Sequence, residues 1–151
     1  MTEEEFKVKL LEVVDLPNGL RLEFWDESRP IAGDRWYVGL RALVPVPIPE
    51  TSENSEQTIF LLKEALGKEA CYQHLMERHF IPSEGVPWVL GEMRESFLAN
   101  SLSYLSHPEF PKRFLLSKAR ELERRRAWGA EYAQKTVQEL LRPHGEGVEL
   151  T

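Results

Sequence analysis

The 151-residue chain carries 25 acidic and 19 basic residues, a net charge of −6, and has the length of one domain. That balance repels nucleic acid and anionic membrane over most of the surface, and the single cysteine, Cys71, excludes an internal disulfide framework. No apolar stretch approaches the ~20 residues of a membrane-spanning helix. At 42% hydrophobic residues the chain can bury a core without a metal or a staple. The start, Met1-Thr-Glu-Glu-Glu-Phe-Lys7, has neither the basic region nor the apolar run of a secretory signal. Cytoplasm is therefore the expected compartment, with no membrane and no nucleic acid as partner.

The first third reads as β structure. Residues 6–16 are rich in aliphatic and β-branched side chains and stop at Pro17-Asn18-Gly19, where Pro presets one turn position and Gly accepts positive φ. A three-residue hairpin loop there sets Leu16 against Leu20, Asp15 against Arg21 and Val14 against Leu22. The returning strand alternates, with Leu20, Leu22 and Phe24 on one face. Asp26–Arg35 reads as a polar loop, and a third strand runs from Arg35 to about Val46. Pro45 and Pro47 cannot donate ladder bonds, so its end is an edge or leaves the sheet.

The polar segment from Glu50 leads into a helix over about 56–66, with Ile59, Leu62 and Leu66 in phase and Gly67 as its stop. Residues 68–81 have no continuous helical stripe, whereas Ala70, Tyr72, His74 and Met76 share one face of a strand; a strand over 68–79 is expected. The last half is helical. Leu90, Met93, Phe97, Ser101 and Tyr104 mark a helix over 87–105 with Pro87 in its first turn. Ser106 and Glu109 have capping-box spacing. A long helix over 111–141 carries Leu115, Ala119 and Leu122, breaks at Arg124-Arg125-Arg126 and Gly129, and resumes with Ala130, Ala133, Val137, Leu140 and Leu141. A loose tail is expected over 143–151.

Three segments resemble a small family of uncharacterised bacterial proteins: Asp26-x-Ser28-Arg29-Pro30-x-Ala32-Gly33-Asp34-Arg35-Trp36, Glu77-Arg78-x-Phe80-Ile81, and Tyr104-Leu-Ser-His-Pro-Glu-Phe-Pro111. The resemblance covers most of the chain and implies the strand reading of residues 68–81. It implies no activity.

Four constellations invite chemistry. Cys71, His74, Glu77 and His79 are metal-ligand types at short spacing. A helix turns His79 away from Cys71 and His74, and a strand turns His74 away from the other three, so no metal site is expected. The 26–35 segment gathers charge between Trp25 and Trp36. Asp26, Ser28, Arg29, Asp34, Arg35 and Trp36 could hold a planar or anionic ligand, since guanidinium forks match carboxylate and phosphate. The plainer expectation is a strand connection whose Asp and Arg side chains pair with one another. Arg120, Arg124, Arg125 and Arg126 interleave with Glu121 and Glu123, which describes a salt-bridged helix face rather than a phosphate track. Trp128 and Tyr132, four apart on that helix, are core or dimer contacts. No Gly-x-Ser-x-Gly elbow, phosphate loop, dinucleotide fingerprint or His-Glu-x-x-His occurs, and His107 before Pro108 reads as a cap rather than a base. No catalytic residue and no cofactor are assigned.

The expectation is a single α+β domain over residues 1–151: a three- or four-stranded antiparallel sheet with three helices in two layers. Its expected role is a non-catalytic interaction protein acting as a homodimer, with an unknown protein partner as a further option. The alternative is a small-ligand-binding module built on the 26–35 segment.

Overall fold

The computed structural model describes residues 7–50 and 56–141. In chain order these form β1 (Lys9–Asp15), β2 (Arg21–Asp26), β3 (Arg29–Ala32), β4 (Arg35–Pro47), α1 (Glu56–Leu66), β5 (Glu69–Pro82), α2 (Val86–Ser106) and α3 (Phe110–Leu140). Parts of the expected first strand and of the lead into α1, and the whole tail over 143–151, lie outside the described residues.

All strand pairs are antiparallel. β5 lines one edge of β4 from end to end, while β2 and then β3 line the other, and β1 is added outside β2. The β1–β2 hairpin has the register read from the sequence, Val14 opposite Leu22 and Asp15 opposite Arg21. Leu16 N–H donates to the Leu20 carbonyl at 2.8 Å, and Gly19 takes φ 89°. A bulge at Leu11 shifts the register towards the start of β1. Pro45 and Pro47 pair with β5, beyond Leu43 where β2 ends, so they fall where β4 has a partner on one edge alone.

The sheet has five strands, one more than expected at most. The added strand is β3, inside the segment read as a loop. Gly33, at φ 59°, opens a two-residue turn with Asp34 that sets Ala32 against Arg35, and Pro30 then pairs with Trp36. A four-residue strand beside a turn has too little alternation to outweigh its polar neighbours.

The helices cover one sheet face. Leu22 and Phe24 of β2 and Val38, Leu40, Ala42, Val44 and Val46 of β4 point towards them and are buried. They meet Ile59 and Leu62 of α1, Met93, Phe97 and Leu105 of α2, and Phe110, Leu115 and Ala119 of α3. Phe110 sits where α2 turns into α3, in edge contact with Tyr72 and Tyr104 and stacked on Phe114. The capping box does not form: the Glu109 N–H donates to His107 Nδ1 at 3.0 Å instead. Arg94 on α2 grips Glu12 on β1 at 2.5 and 2.8 Å, and the Arg94 hydrogen bond holds the Glu12 carboxyl below its ordinary pKa.

The hairpin tip also finishes a helix. Asn18 Nδ2 donates to the Leu105 and His107 carbonyls at 2.7 and 3.0 Å, and its Oδ1 accepts from Leu20 N–H. Carbonyls at a helix C-terminus lack intrahelical partners, so this contact couples the turn to α2. Asn18→Ala should cost about 1–2 kcal/mol in urea unfolding. Asn18→Asp should cost at least as much, because it keeps the acceptor for Leu20 but removes the donor.

Candidate functional site

The residues of the 26–35 segment separate onto two sheet faces. Asp26, at the end of β2, accepts the Ser28 N–H at 2.9 Å, closing a tight turn. Ser28 is the one charged or polar residue buried among the described ones, and its Oγ accepts the Gly39 N–H at 3.3 Å. Asp26, Ser28 and Trp36 line a pocket of about 350 Å³ on the helix side of the sheet. Lys7, Lys9, Ser83 and the first turn of α2, with Val86, Pro87 and Leu90, complete it. Lys9 stands opposite Asp26 in the β1–β2 register. Two ammonium groups against one carboxylate, beside an indole, give this pocket a positive balance and a flat apolar wall.

Arg29, Asp34 and Arg35 are not part of that pocket. Arg29 lies 4.8 Å over the Tyr37 ring on the helix-free face. Arg35 and Asp34 form an exposed pair at 3.7 Å beside the β3–β4 turn. Asp and Arg do pair within the segment, but its better-shielded carboxylate, Glu27, reaches β4: it holds Arg41 through Nε and, at 3.2 Å, through Nη2.

The helix-free face is organised around Tyr37, which is only 7% exposed although no helix covers it. Its ring lies flat over Gly39, where an added Cβ would meet the ring carbons at 2.9–3.0 Å and the hydroxyl oxygen at 2.7 Å. Its hydroxyl donates to Glu77 Oε2 at 2.7 Å, and the His79 ring packs at 5.2 Å. Arg41 also donates to Gln73 at 3.0 Å. Burial, then the Glu77 hydrogen bond and the Glu77 and Glu27 charges, push the Tyr37 phenol up to about 12. At neutral pH it is a fixed hydrogen-bond donor and not a proton acceptor.

The strand β5 divides the metal-ligand types as its pleat requires. His74 stacks on Phe97 of α2 at 5.7 Å, while His79 and Glu77 contact Tyr37 on the other face. No group of three or more His, Cys, Asp or Glu among the described residues could hold a metal ion. Burial, reinforced by Glu69 and Glu23, pushes the Cys71 thiol up, so it lacks the thiolate character of a nucleophile.

Trp128 and Tyr132 stack on each other, 5.7 Å apart, and are 69% and 63% exposed, so they are not core. Glu121 and Arg125 form the helical pair read from the sequence, at 2.7 Å. Arg126 reaches Glu64 of α1 at 3.4 Å. No described helix is long and apolar enough to cross a membrane.

Sequence reasoning missed Lys7, Lys9 and Ser83 in the pocket and Tyr37 and Arg41 on the open face, and singled out Glu27 and His79 without the partners they have there. Each reaches its neighbours through strand pairing or helix packing, for which spacing along the chain carries no signal. The phenol gives a direct check. In the unfolded chain it ionises near 10, so its contribution to stability is complete below about pH 10 and lost as pH rises through about 12. Ultraviolet titration of tyrosinate should show one group ionising near pH 12 that is absent in Tyr37→Phe, and the variant should lose less stability over that interval.

No protein-family model, curated protein or solved structure matches this chain.

Proposed function

We propose that the protein is a non-catalytic interaction protein of the bacterial cytoplasm that acts as a homodimer, joined through the distal half of α3. The observation that carries this reading is the course of that helix. Its face is buried at Leu115 and Ala119 and half-buried at Leu122, yet from Glu123 to Leu141 every residue is exposed. The same face continues for about 27 Å through Arg126, Gly129, Ala133, Val137 and Leu140, at steps of three and four residues. A helix of that length draws its stability from packing rather than from propensity, so the exposed stripe calls for a partner.

A second copy meets that need on three counts. Gly129 and Ala133 are small enough for close approach, and an antiparallel pair centred between them brings Leu122 of one chain opposite Leu140 of the other. The antiparallel sense also sets Arg124, Arg125 and Arg126 level with the uncharged Gln138, Val137 and Thr136, whereas a parallel pair stacks the three arginines on their own copies. Finally, a groove of about 630 Å³ lined by Gln57, Phe60, Leu61, Glu123 and Arg126 lies where α3 leaves the body, beside the place the partner's helix end reaches. Trp128 and Tyr132 stand well round the helix from this stripe and flank the contact rather than form it.

Light scattering should give a dimer mass at tens of micromolar, and Ala133→Glu with Leu140→Glu should give a monomer that keeps its circular dichroism. Trp128→Ala with Tyr132→Ala should remain dimeric. A monomer mass for the unaltered chain rejects the proposal.

A ligand-binding module is the second reading, favoured by the gathering of Asp26, Ser28 and Trp36 with Lys7 and Lys9 around one pocket. Under it, a small aromatic carboxylate or phosphate should raise the melting temperature of the unaltered protein and not of Lys7→Glu with Lys9→Glu. Equal response of both, or none, removes that reading.

A further inference from the structure

The sheet offers a second unfinished edge, independent of α3. β5 is a 14-residue strand whose only strand partner among the described residues is β4, so its outer edge carries unpaired backbone donors and acceptors. A bulge at Phe80, with φ 59°, and Pro82 blunt its end, but Gln73 to His79 contains no proline and pairs with β4 without a break as far as Arg78. Such an edge is a template for one further strand.

Directly beside this edge runs a groove of about 500 Å³ between β5 and α2. Met76, Arg78 and Ile81 form its sheet side, and Trp88, Val89, Glu92, Met93 and Ser96 its helix side. Trp88, 69% exposed, lines the same groove as half-buried Met76, Val89 and Ile81. Two methionines beside an indole form an adaptable apolar wall. The charges sit apart. Arg78 donates only to the Glu77 carbonyl, at 2.8 Å, and Glu92 has no ion pair among the described residues. The β1 edge, by contrast, is bulged at Leu11, and the pocket at its start is lined by Lys7 and Lys9.

We propose that β5 and α2 together bind an extended segment of another polypeptide, which adds to the sheet as a sixth strand. Its backbone pairs with the β5 edge. Strand alternation sends every second side chain towards α2, where the Met76–Trp88–Val89–Met93 wall takes a leucine- or methionine-sized group. Two residues along the same strand face Met76 gives way to Arg78, so the next inward side chain of the bound segment is a carboxylate. Glu92 on the opposite wall disfavours a carboxylate at the apolar end and so fixes the order. A second copy of this chain is a poorer occupant. Two-fold pairing of β5 edges centred on His74 sets Arg78 against Ala70 and Glu77 against Cys71, leaving Arg78 without a carboxylate across the pair while Glu77 stays on Tyr37.

The test uses the full chain and a display library of randomised peptides about ten residues long, with depletion on a Trp88→Ala, Arg78→Glu double variant. The expected winners alternate and carry an apolar residue two positions from an aspartate or glutamate. On binding, Trp88 emission should shift to the blue and the outward amides of Gln73 to His79 should become protected from exchange. N-methylating the strand-facing amides of the peptide should abolish binding. Arg78→Glu should weaken it at least tenfold, and lysine in place of the peptide's acid should restore it. The proposal is overturned if no peptide is enriched over the double variant, or if N-methylation leaves binding unchanged. It is equally overturned if the β5 amides become protected with rising protein concentration in the Ala133→Glu, Leu140→Glu variant without peptide, which would make a second copy the occupant. Because the readout is peptide binding by either a monomer or a dimer, its failure is separate from that of the α3 dimer.

Discussion

Everything in this fold depends on completing the hydrogen bonding of β4. Thirteen residues long, it has strands along both edges for most of its course and turns five consecutive alternate side chains, Val38 to Val46, into the core. A buried strand cannot leave its N–H and C=O groups unmatched. That requirement forces the chain before it, β2 and β3, to share one edge, and forces β5, which follows after α1, onto the other. Once those pairings exist, the alternation of β4 decides which face the helices must cover.

The two faces then solve different problems. On the helix side, Phe24, Phe97 and Phe110 bury large apolar area, and polar links from Arg94 to Glu12 and from the Asn18 amide to the Leu105 and His107 carbonyls tie α2 to the β1–β2 hairpin at defined points. On the open side no described helix or strand forms a second layer, and local side chains supply the cover. The absence of a side chain at Gly39 lets the Tyr37 ring lie down on the strand, and Arg29, Glu77 and His79 hold it there. The Glu27–Arg41 pair, with Arg41 four residues along the same strand, is shielded enough to be more than a surface contact. These groups look like a reactive cluster when named as residue types. Their geometry is that of a clamp: each has its partner, and the phenol is held neutral.

What the domain leaves unsatisfied lies at its margins. The distal stripe of α3 and the outer edge of β5 beside α2 are both surfaces that no other described element covers. One presents apolar side chains on a helix, and the other presents backbone groups beside an apolar groove. The chemistry of the two differs, and the two proposals differ accordingly: a helix for the first and an extended segment for the second.

The sequence by itself determined the elements whose signals are local. The Pro17-Asn18-Gly19 turn and the register it sets, the alternation of β2 and β4, and the helical phases of α2 and α3 all follow from neighbouring residues interacting within a few positions. The strand at β5 was legible because Ala70, Tyr72, His74 and Met76 alternate. Only the tertiary structure decided the rest, because it depends on which distant segments meet. β3 exists through pairing with β4, not through its own pattern. Asp26, Ser28 and Trp36 belong together while Arg29 and Arg35 go elsewhere, since a strand sends successive side chains to opposite faces and the bend at Glu27–Ser28 resets that alternation. Tyr37 is buried without a covering layer because Gly39 has no side chain and Glu77 lies on the neighbouring strand, a relation that no spacing within 151 residues announces.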